Sequence, residues 1–347
     1  MGRLKSFFKD FEKTQLIVPC IFIVMSILGI IIGGIKLDFL SRELYSRFIR
    51  NIIMVLSLII PIVAGMGLNF AITIGAICAQ SAAIIVLDFN ITGVMGVIAI
   101  IVISGILSTI FGNLIGFILN KAKGKEMITS IIIGFLGTSV YHLVFMVGYG
   151  TIITPRNKEI LLSTGIGVRN MVDLMGFSKL FKMNQIVAIG AIISVALIII
   201  YILNSKIGYK LKAVGENMTV AGQLGINVDR IRRQAIVIST IIASMGHIMF
   251  MFSLGNINVY SGHLNIDTFA CAALLAGGAT LSKANIKNAF LGIILFHTMF
   301  IVSPIAIPKM FNNPALGEYF RTFIAYGTIV FAFIINLKND RRQRIKL

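Results

Sequence analysis

Apolar residues in this chain run in long blocks, and the polar residues gather in the intervals between them. A helix needs roughly 20 apolar residues to cross a hydrocarbon layer. Leu16–Ile35, Met127–Pro155, Ile186–Leu203 and Asn288–Pro308 contain no Asp, Glu, Lys or Arg. From Asn51 to Asn120 the only charged side chain is Asp88, which leaves room for about three crossings. The blocks predict an all-α polytopic membrane protein with about ten transmembrane helices. Their expected positions are Leu16–Ile35, Ile52–Met66, Asn69–Leu87, Thr92–Leu119, Met127–Val147, Ile186–Leu203, Gln234–Leu254, Asn265–Leu281, Asn288–Val302 and Thr322–Leu337. Pro61 and Gly65 predict a kink in the second. Lys36–Arg50 reads as a mixed loop, Gly148–Asn184 as an amphipathic interval, and the stretch after Val302 as a Pro-rich loop. The chain thus divides into an amino-terminal segment 1–15, a single transmembrane domain 16–337 and a basic tail 338–347.

One polar interval, Asn204–Arg233, stands out for its length and its charge. It holds Lys206, Lys210, Lys212, Arg230, Arg232 and Arg233 against Glu216 and Asp229. Asn217 is a good N-cap, Met218–Leu224 fits about two helical turns, and Gly225 suits a left-handed stop. Asn227 and Asp229 offer a second helix start before the next apolar run. Two readings follow: a docking element for a partner, or a solvated linker.

Composition supports the membrane reading. Mean hydropathy is +0.94, and 57% of residues are apolar against 13% charged, half the charge of a soluble domain. The net charge of +18 would suggest nucleic acid in a soluble protein. Here the basic residues sit at the ends of apolar runs, where they set orientation and meet membrane lipid, so no nucleic-acid partner is expected. With the amino terminus inside, the inner segments hold 20 of the 31 Lys and Arg, although Arg42, Arg47 and Arg50 fall outside. This bias predicts cytoplasmic termini and places Asn204–Arg233 in the cytoplasm. The first apolar run is too long for a secretory leader and reads as an uncleaved span. Cys20, Cys78 and Cys271 lie within apolar runs, show no metal or disulfide spacing, and read as small core residues.

Nucleotide and hydrolase motifs are missing: no G-x-x-x-x-G-K-[ST], H-E-x-x-H or G-x-S-x-G occurs. No catalytic residue, metal site or cofactor is expected in this chain, and any use of ATP-Mg falls to a partner. Few polar residues lie within the spans. Asn69, after Gly65-Met66-Gly67-Leu68, marks an interrupted helix, and with Phe70, Thr73 and Gln80 it is a candidate lining of a pathway. The alternative is that Asn69 and Gln80 are hydrogen bonds between helices. His142, near Ser139 and Tyr141, and His247, near Ser244, either line a cavity or are satisfied by neighbouring carbonyls. Asp88 reads as a solvated residue near an outer end, and Asp267 as a cap. Small residues such as Gly112, Gly116, Gly134 and Gly137 predict close helix packing.

Residues Ala213–Thr240, AVGENMTVAGQLGINVDRIRRQAIVIST, resemble the cytoplasmic signature of permease subunits of bacterial ABC importers for simple sugars and nucleosides, a family that also takes in ribose, galactose and branched-chain amino acid systems. Gly215, Glu216, Asn217, Ala221, Gly225, Ile226, Asn227 and Val228 carry the match. AALLAGGATLSKANIKNAFLGIILF (Ala272–Phe296) is similar to the family's small-residue span, Gly-Gly turn and following span. GMGLNFAITIGAICAQSA (Gly65–Ala82) is a weaker match, and the family's aspartate falls on Ala71, which tells against ribose- or galactose-type specificity. The resemblance implies a type II-like importer permease in a bacterial cytoplasmic membrane. It would pair with a second permease, identical or related, receive solute from an extracytoplasmic binding protein, and dock a cytoplasmic ABC ATPase through a coupling helix. The docking residues would be Gly215, Glu216, Asn217, Val220, Ala221, Leu224, Gly225 and Ile226. A secondary carrier working without an ATPase is the competing reading.

Overall fold

The computed structural model describes residues 16–174, 185–313 and 315–344. The segment 1–15 and the last three residues of the tail lie outside them. The helices are α1 (Ile17–Gly33), α2 (Leu37–Ser57), α3 (Ile59–Val63), α4 (Ile72–Asp88), α5 (Gly93–Lys121), α6 (Glu126–Leu143), α7 (Gln185–Leu203), α8 (Lys206–Glu216), α9 (Met218–Gln223), α10 (Val228–Leu254), α11 (Ile266–Ala276), α12 (Ile286–Phe311) and α13 (Ala315–Arg344). Every expected span falls on one or more of them. Among the described residues, six stretches are long and apolar enough to cross a membrane, among them Leu37–Val63, Gly93–Lys121 and Val228–Leu254; α1, α4 and α11 are shorter apolar helices. The chain is not wholly α: Met171–Asp173 (β1) and Asn256–Asn258 (β2) form a two-stranded antiparallel ribbon with Val172 opposite Ile257.

The chain divides into two compact units, Met1–Phe48 with Thr268–Leu347, and Ile49–Asp267. The expected loop Lys36–Arg50 is helical from Leu37 on, as the start of α2. Its charges pair along one face, Arg42 with Asp38 and Arg47 with Glu43, and Asp38 lies in the first turn where the helix dipole favours it. Nor does a Pro-rich loop follow Val302: α12 continues through Pro304 and Pro308 to Phe311. Gly317 of α13 lies against both prolines, so a Cβ there would come within 2.8 Å of Pro304 Cα. A packed neighbour is what lets a membrane helix carry proline. At its start, α12 has an Asn285–Asn288 capping box, and Asn288 Nδ2 donates 2.8 Å to Gly277 O, closing the Gly-Gly turn. Cys20 is exposed on α1 rather than in the core; Cys78 and Cys271 are buried.

The second unit is organised around α10. Asn227 caps it by accepting from Arg230 N, and Gly255 ends it with φ 81°. Glycines bring its neighbours in to backbone distance. A Cβ on Gly75 of α4 would lie 2.7 Å from Thr240 O, and one on Gly112 of α5 would lie 3.0 Å from Val237 Cα. Helix α5 is patterned the opposite way to a soluble helix. Gly96, Ile100, Ser104, Ser108 and Gly112 are buried, while Val94, Ile98, Val102, Ile106, Ile110 and Leu114 are exposed at a four-residue spacing. Small residues inward and large apolar residues outward suit a helix that packs through its backbone and faces lipid.

The break between α2 and α3 has a specific cause. Pro61 has no N–H, so the carbonyl of Ser57 loses its helical donor. The hydroxyl of Ser239 on α10 donates to that carbonyl at 2.8 Å. Beyond α3, Gly65 (φ 72°) and Gly67 (φ 68°) turn the chain, and residues 65–71 are not helical. The interruption expected before Asn69 is therefore present.

Candidate functional site

The loop between α7 and α10 is built from caps. Ser205 caps α8 by accepting from Gly208 N. Asn217 Oδ1 accepts from Thr219 N at 3.0 Å and Val220 N at 3.1 Å, starting α9. Gly225 takes φ 79°. Its N–H donates to Gly222 O and that of Ile226 to Ala221 O, both at 3.0 Å, the paired bonds of a Schellman stop. Ala221 is buried, whereas Leu224 is 74% and Val220 47% exposed. Glu216, the last residue of α8, is exposed and Ile226 half-buried. A short, doubly capped helix thus holds apolar side chains outward on a basic loop.

Among the contacts that fix this loop to the rest of its unit, two are not evident from the sequence. Arg232 is fully buried, where basic residues of this interval were expected only to orient the chain. Its Nη2 meets Glu126 Oε1 at 2.5 Å, its Nε donates to Asn120 Oδ1 at 3.0 Å, and its Nη1 lies 3.1 Å from Met218 Sδ. One guanidinium thereby joins the end of α5, the start of α6 and the first residue of α9. The second contact is Gly215, whose backbone lies against Val63–Gly65; a Cβ on Gly65 would lie 2.9 Å from Gly215 Cα.

The expected pathway residues separate into two groups along α4. Asn69, Phe70 and Thr73 are buried at its start. Asn69 Oδ1 accepts from Ala71 N, Phe70 N–H donates to Ser130 Oγ, and Thr73 Oγ1 lies 3.5 Å from Phe70 O. Asn69 Nδ2 has no partner among the described residues. Gln80 lies farther along α4. Its Nε2 donates to Asn258 O and its Oε1 lies 3.0 Å from His263 Nδ1. His142 Nε2 lies 3.0 Å from Tyr260 O, and its ring centroid is 5.3 Å from that of His263. Tyr141 contacts His263 edge-on at 4.9 Å. So Gln80 and His142 are brought together by His263 and Tyr260, two residues between β2 and α11 that no local sequence pattern marks. Ser139 bonds back to Phe135 O and Ser244 to Ile241 O, so neither joins a histidine. His247 is buried and stacks on Phe250. At the same end of the unit, Asp88 is buried rather than solvated. Its Oδ1 accepts from Arg156 N at 2.9 Å and Asn157 N at 3.1 Å, pinning the loop after α6.

Burial, and then the nearby His142, push the His263 imidazole down to about 4. Between that value and the ordinary one near 6.5, an unfolded chain binds a proton that the folded one refuses. The stabilisation from neutral His263 is therefore complete above about pH 6.5 and lost as pH falls toward about 4. The thermal midpoint of the purified protein is expected to drop from pH 7.5 to 4.5 more steeply in wild type than in His263→Gln. Parallel pH profiles would show that His263 does not titrate this way.

Comparison with known proteins agrees with this architecture. A nucleoside ABC transporter permease protein, NupB of Lactococcus lactis subsp. cremoris (strain MG1363), is 24% identical over 252 residues, covering 70% of this chain. The match spans 66% of that relative's own length, just under two thirds. No solved structure matches the chain significantly. The profile of the family described as branched-chain amino acid transport system / permease component matches residues 42–333. This multi-pass membrane protein belongs to that permease family.

Proposed function

We propose that the chain is the transmembrane subunit of an ATP-binding-cassette importer, forming the pathway for a small polar solute of nucleoside or simple-sugar type. The observation that carries this reading is the capped helix α9, with Val220 and Leu224 exposed beside buried Ala221 on a basic loop. A rigid helix presenting apolar side chains suits a groove in a partner protein, and the family supplies the partner's class, an ATPase carrying ATP-Mg. The name of the similar Lactococcus protein favours a nucleoside, and Ala71 in place of the sugar permeases' aspartate points the same way. In this reading about ten helices cross a bacterial cytoplasmic membrane, both termini are cytoplasmic, a second permease subunit completes the pathway, and an extracytoplasmic protein delivers the solute. Asn69, Phe70 and Thr73 would meet the solute near one end of α4, and Gln80, His142 and His247 farther along the unit.

Co-expression with its ATPase and second permease subunit, followed by reconstitution in liposomes with the binding protein inside or outside, tests the proposal. Uptake of labelled uridine is expected to require ATP on the face bearing α9. Equal uptake by this chain without any ATPase would instead establish a secondary carrier.

A further inference from the structure

We infer that the non-helical segment 64–71 is the receiver through which movement of the α8–α9 loop reaches the interior of the Ile49–Asp267 unit. This rests on the reading that the loop docks an ATPase. The contact is backbone on backbone. A Cβ on Gly65 would lie 2.9 Å from Gly215 Cα and 3.1 Å from Gly215 O, and a Cβ on Gly215 would lie 3.1 Å from Gly65 N. With no side chain between them, a shift of α8 has no soft element to absorb it. Two packed surfaces in this condition move together or separate, because interiors are close-packed and barely compressible.

The receiving segment is suited to being displaced. Gly65 and Gly67 both hold positive φ, so the chain here is a hinge between α3 and α4 rather than a continuous rod. The bonds that hold it are mostly local, among them Ala64 N to Ile60 O, Gly65 N to Ile62 O, Met66 N to Pro61 O, Ala71 N to Asn69 Oδ1, Thr73 Oγ1 to Phe70 O and Ile74 N to Ala71 O, while Phe70 N to Ser130 Oγ reaches another helix. Leu68, Asn69, Phe70 and Ala71 are all buried, so a push at Gly65 cannot dissipate into solvent. It passes to Asn69 and then to α4. The other side of the loop is fixed differently. Arg232 ties Met218 to Glu126 and Asn120 by directional bonds. The loop is therefore anchored at the start of α9 and bears on the hinge at the end of α8. These are positioning roles: neither glycine needs to touch solute.

Hydrogen exchange in the intact wild-type transporter, with its ATPase present, tests this without any substitution. The complex is compared nucleotide-free and with a non-hydrolysable ATP analogue. The expected result is a change of roughly fivefold or more in exchange at amides 65–71 together with 215–226. A change in 215–226 with 65–71 unaltered would overturn the receiver and leave docking intact. No change in either segment would remove the docking reading, and the receiver with it. A second measurement uses Gly65→Ala, outside the docking residues, whose Cβ would press on Gly215 Cα at 2.9 Å. Uptake per ATP hydrolysed is expected to fall roughly tenfold while the complex still assembles and hydrolyses ATP. Undiminished uptake per ATP in an assembled variant complex would also overturn the inference.

Discussion

Arg232→Gln is expected to destabilise the protein by about 3–5 kcal/mol and to release α9 from its anchor. The reason is the asymmetry of a buried ion pair. Arg232 is fully buried, and its partner Glu126 is nearly so. Together they have already met the cost of leaving water, so deleting one leaves the other charged, desolvated and unpaired. Glutamine keeps some polarity but cannot reach Glu126, Asn120 and Met218 at once, as the guanidinium does. Lysine keeps the charge and loses the fork, so Arg232→Lys is expected to fall between wild type and Arg232→Gln. The double variant Arg232→Met with Glu126→Gln removes the stranded charge and is expected to recover part of the loss. Thermal unfolding in detergent orders the four proteins. A double variant less stable than either single change would mean that the pair is held by something other than its mutual charge. By contrast, the exposed pair Lys123–Asp229, although only 2.6 Å apart, is expected to contribute little, as solvated ion pairs do.

Gly225→Pro is expected to abolish ATP-driven uptake while leaving the protein in the membrane. Gly225 holds φ 79°, whereas proline is fixed near −65°, and the change also deletes the N–H that bonds to Gly222 O. The stop of α9 cannot form, and Leu224 loses its position. Gly225→Ala gives a graded control. Nothing lies within 4 Å of a Cβ there, so alanine meets only the backbone penalty of a left-handed residue, about 1–2 kcal/mol. Removing the cap by Asn217→Ala costs about 1 kcal/mol at the opposite end. Charge reversal at exposed Glu216 disturbs neither end of α9 and tests the surface itself. The expected order of uptake is wild type, then Asn217→Ala and Gly225→Ala, then Gly225→Pro, with Glu216→Lys lowering uptake without loss of thermal stability. Wild-type uptake in both Gly225→Pro and Glu216→Lys would rule out this loop as the coupling element.

What could be read in the sequence, and what could not, follows from the range of the interactions. Asn217, Gly225 and Asn227 act on backbone groups a few residues away, so the short helix and its stops are visible in one dimension. The apolar blocks are visible for the same reason: crossing lipid is a requirement on each segment separately. The start of α2 was hidden because its charges, Asp38, Arg42, Glu43 and Arg47, mimic a loop until they are placed four apart on a helix. The prolines of α12 hid its length, because what tolerates them is Gly317 on another helix. Arg232, Asp88 and His263 were missed or misread for a single reason. Their partners lie 106, 68 and 183 residues away, and no local pattern distinguishes a basic residue that faces lipid headgroups from one that faces a buried carboxylate.

The bond from the Ser239 hydroxyl to the Ser57 carbonyl sets a limit on how this protein can move. Sliding α10 by one turn, about 5.4 Å, would take the Ser239 donor away from that carbonyl, which belongs to the fully buried Ser57. Gly75 and Gly112, seated on the backbone of α10, would meet side chains in the same slide. The Ser57 end of α2, with α4, α5 and α10, is therefore keyed like a lock set to one register. Any change of access in this unit must turn these helices as one body, and the flexing must be confined to joints such as Gly65 and Gly67.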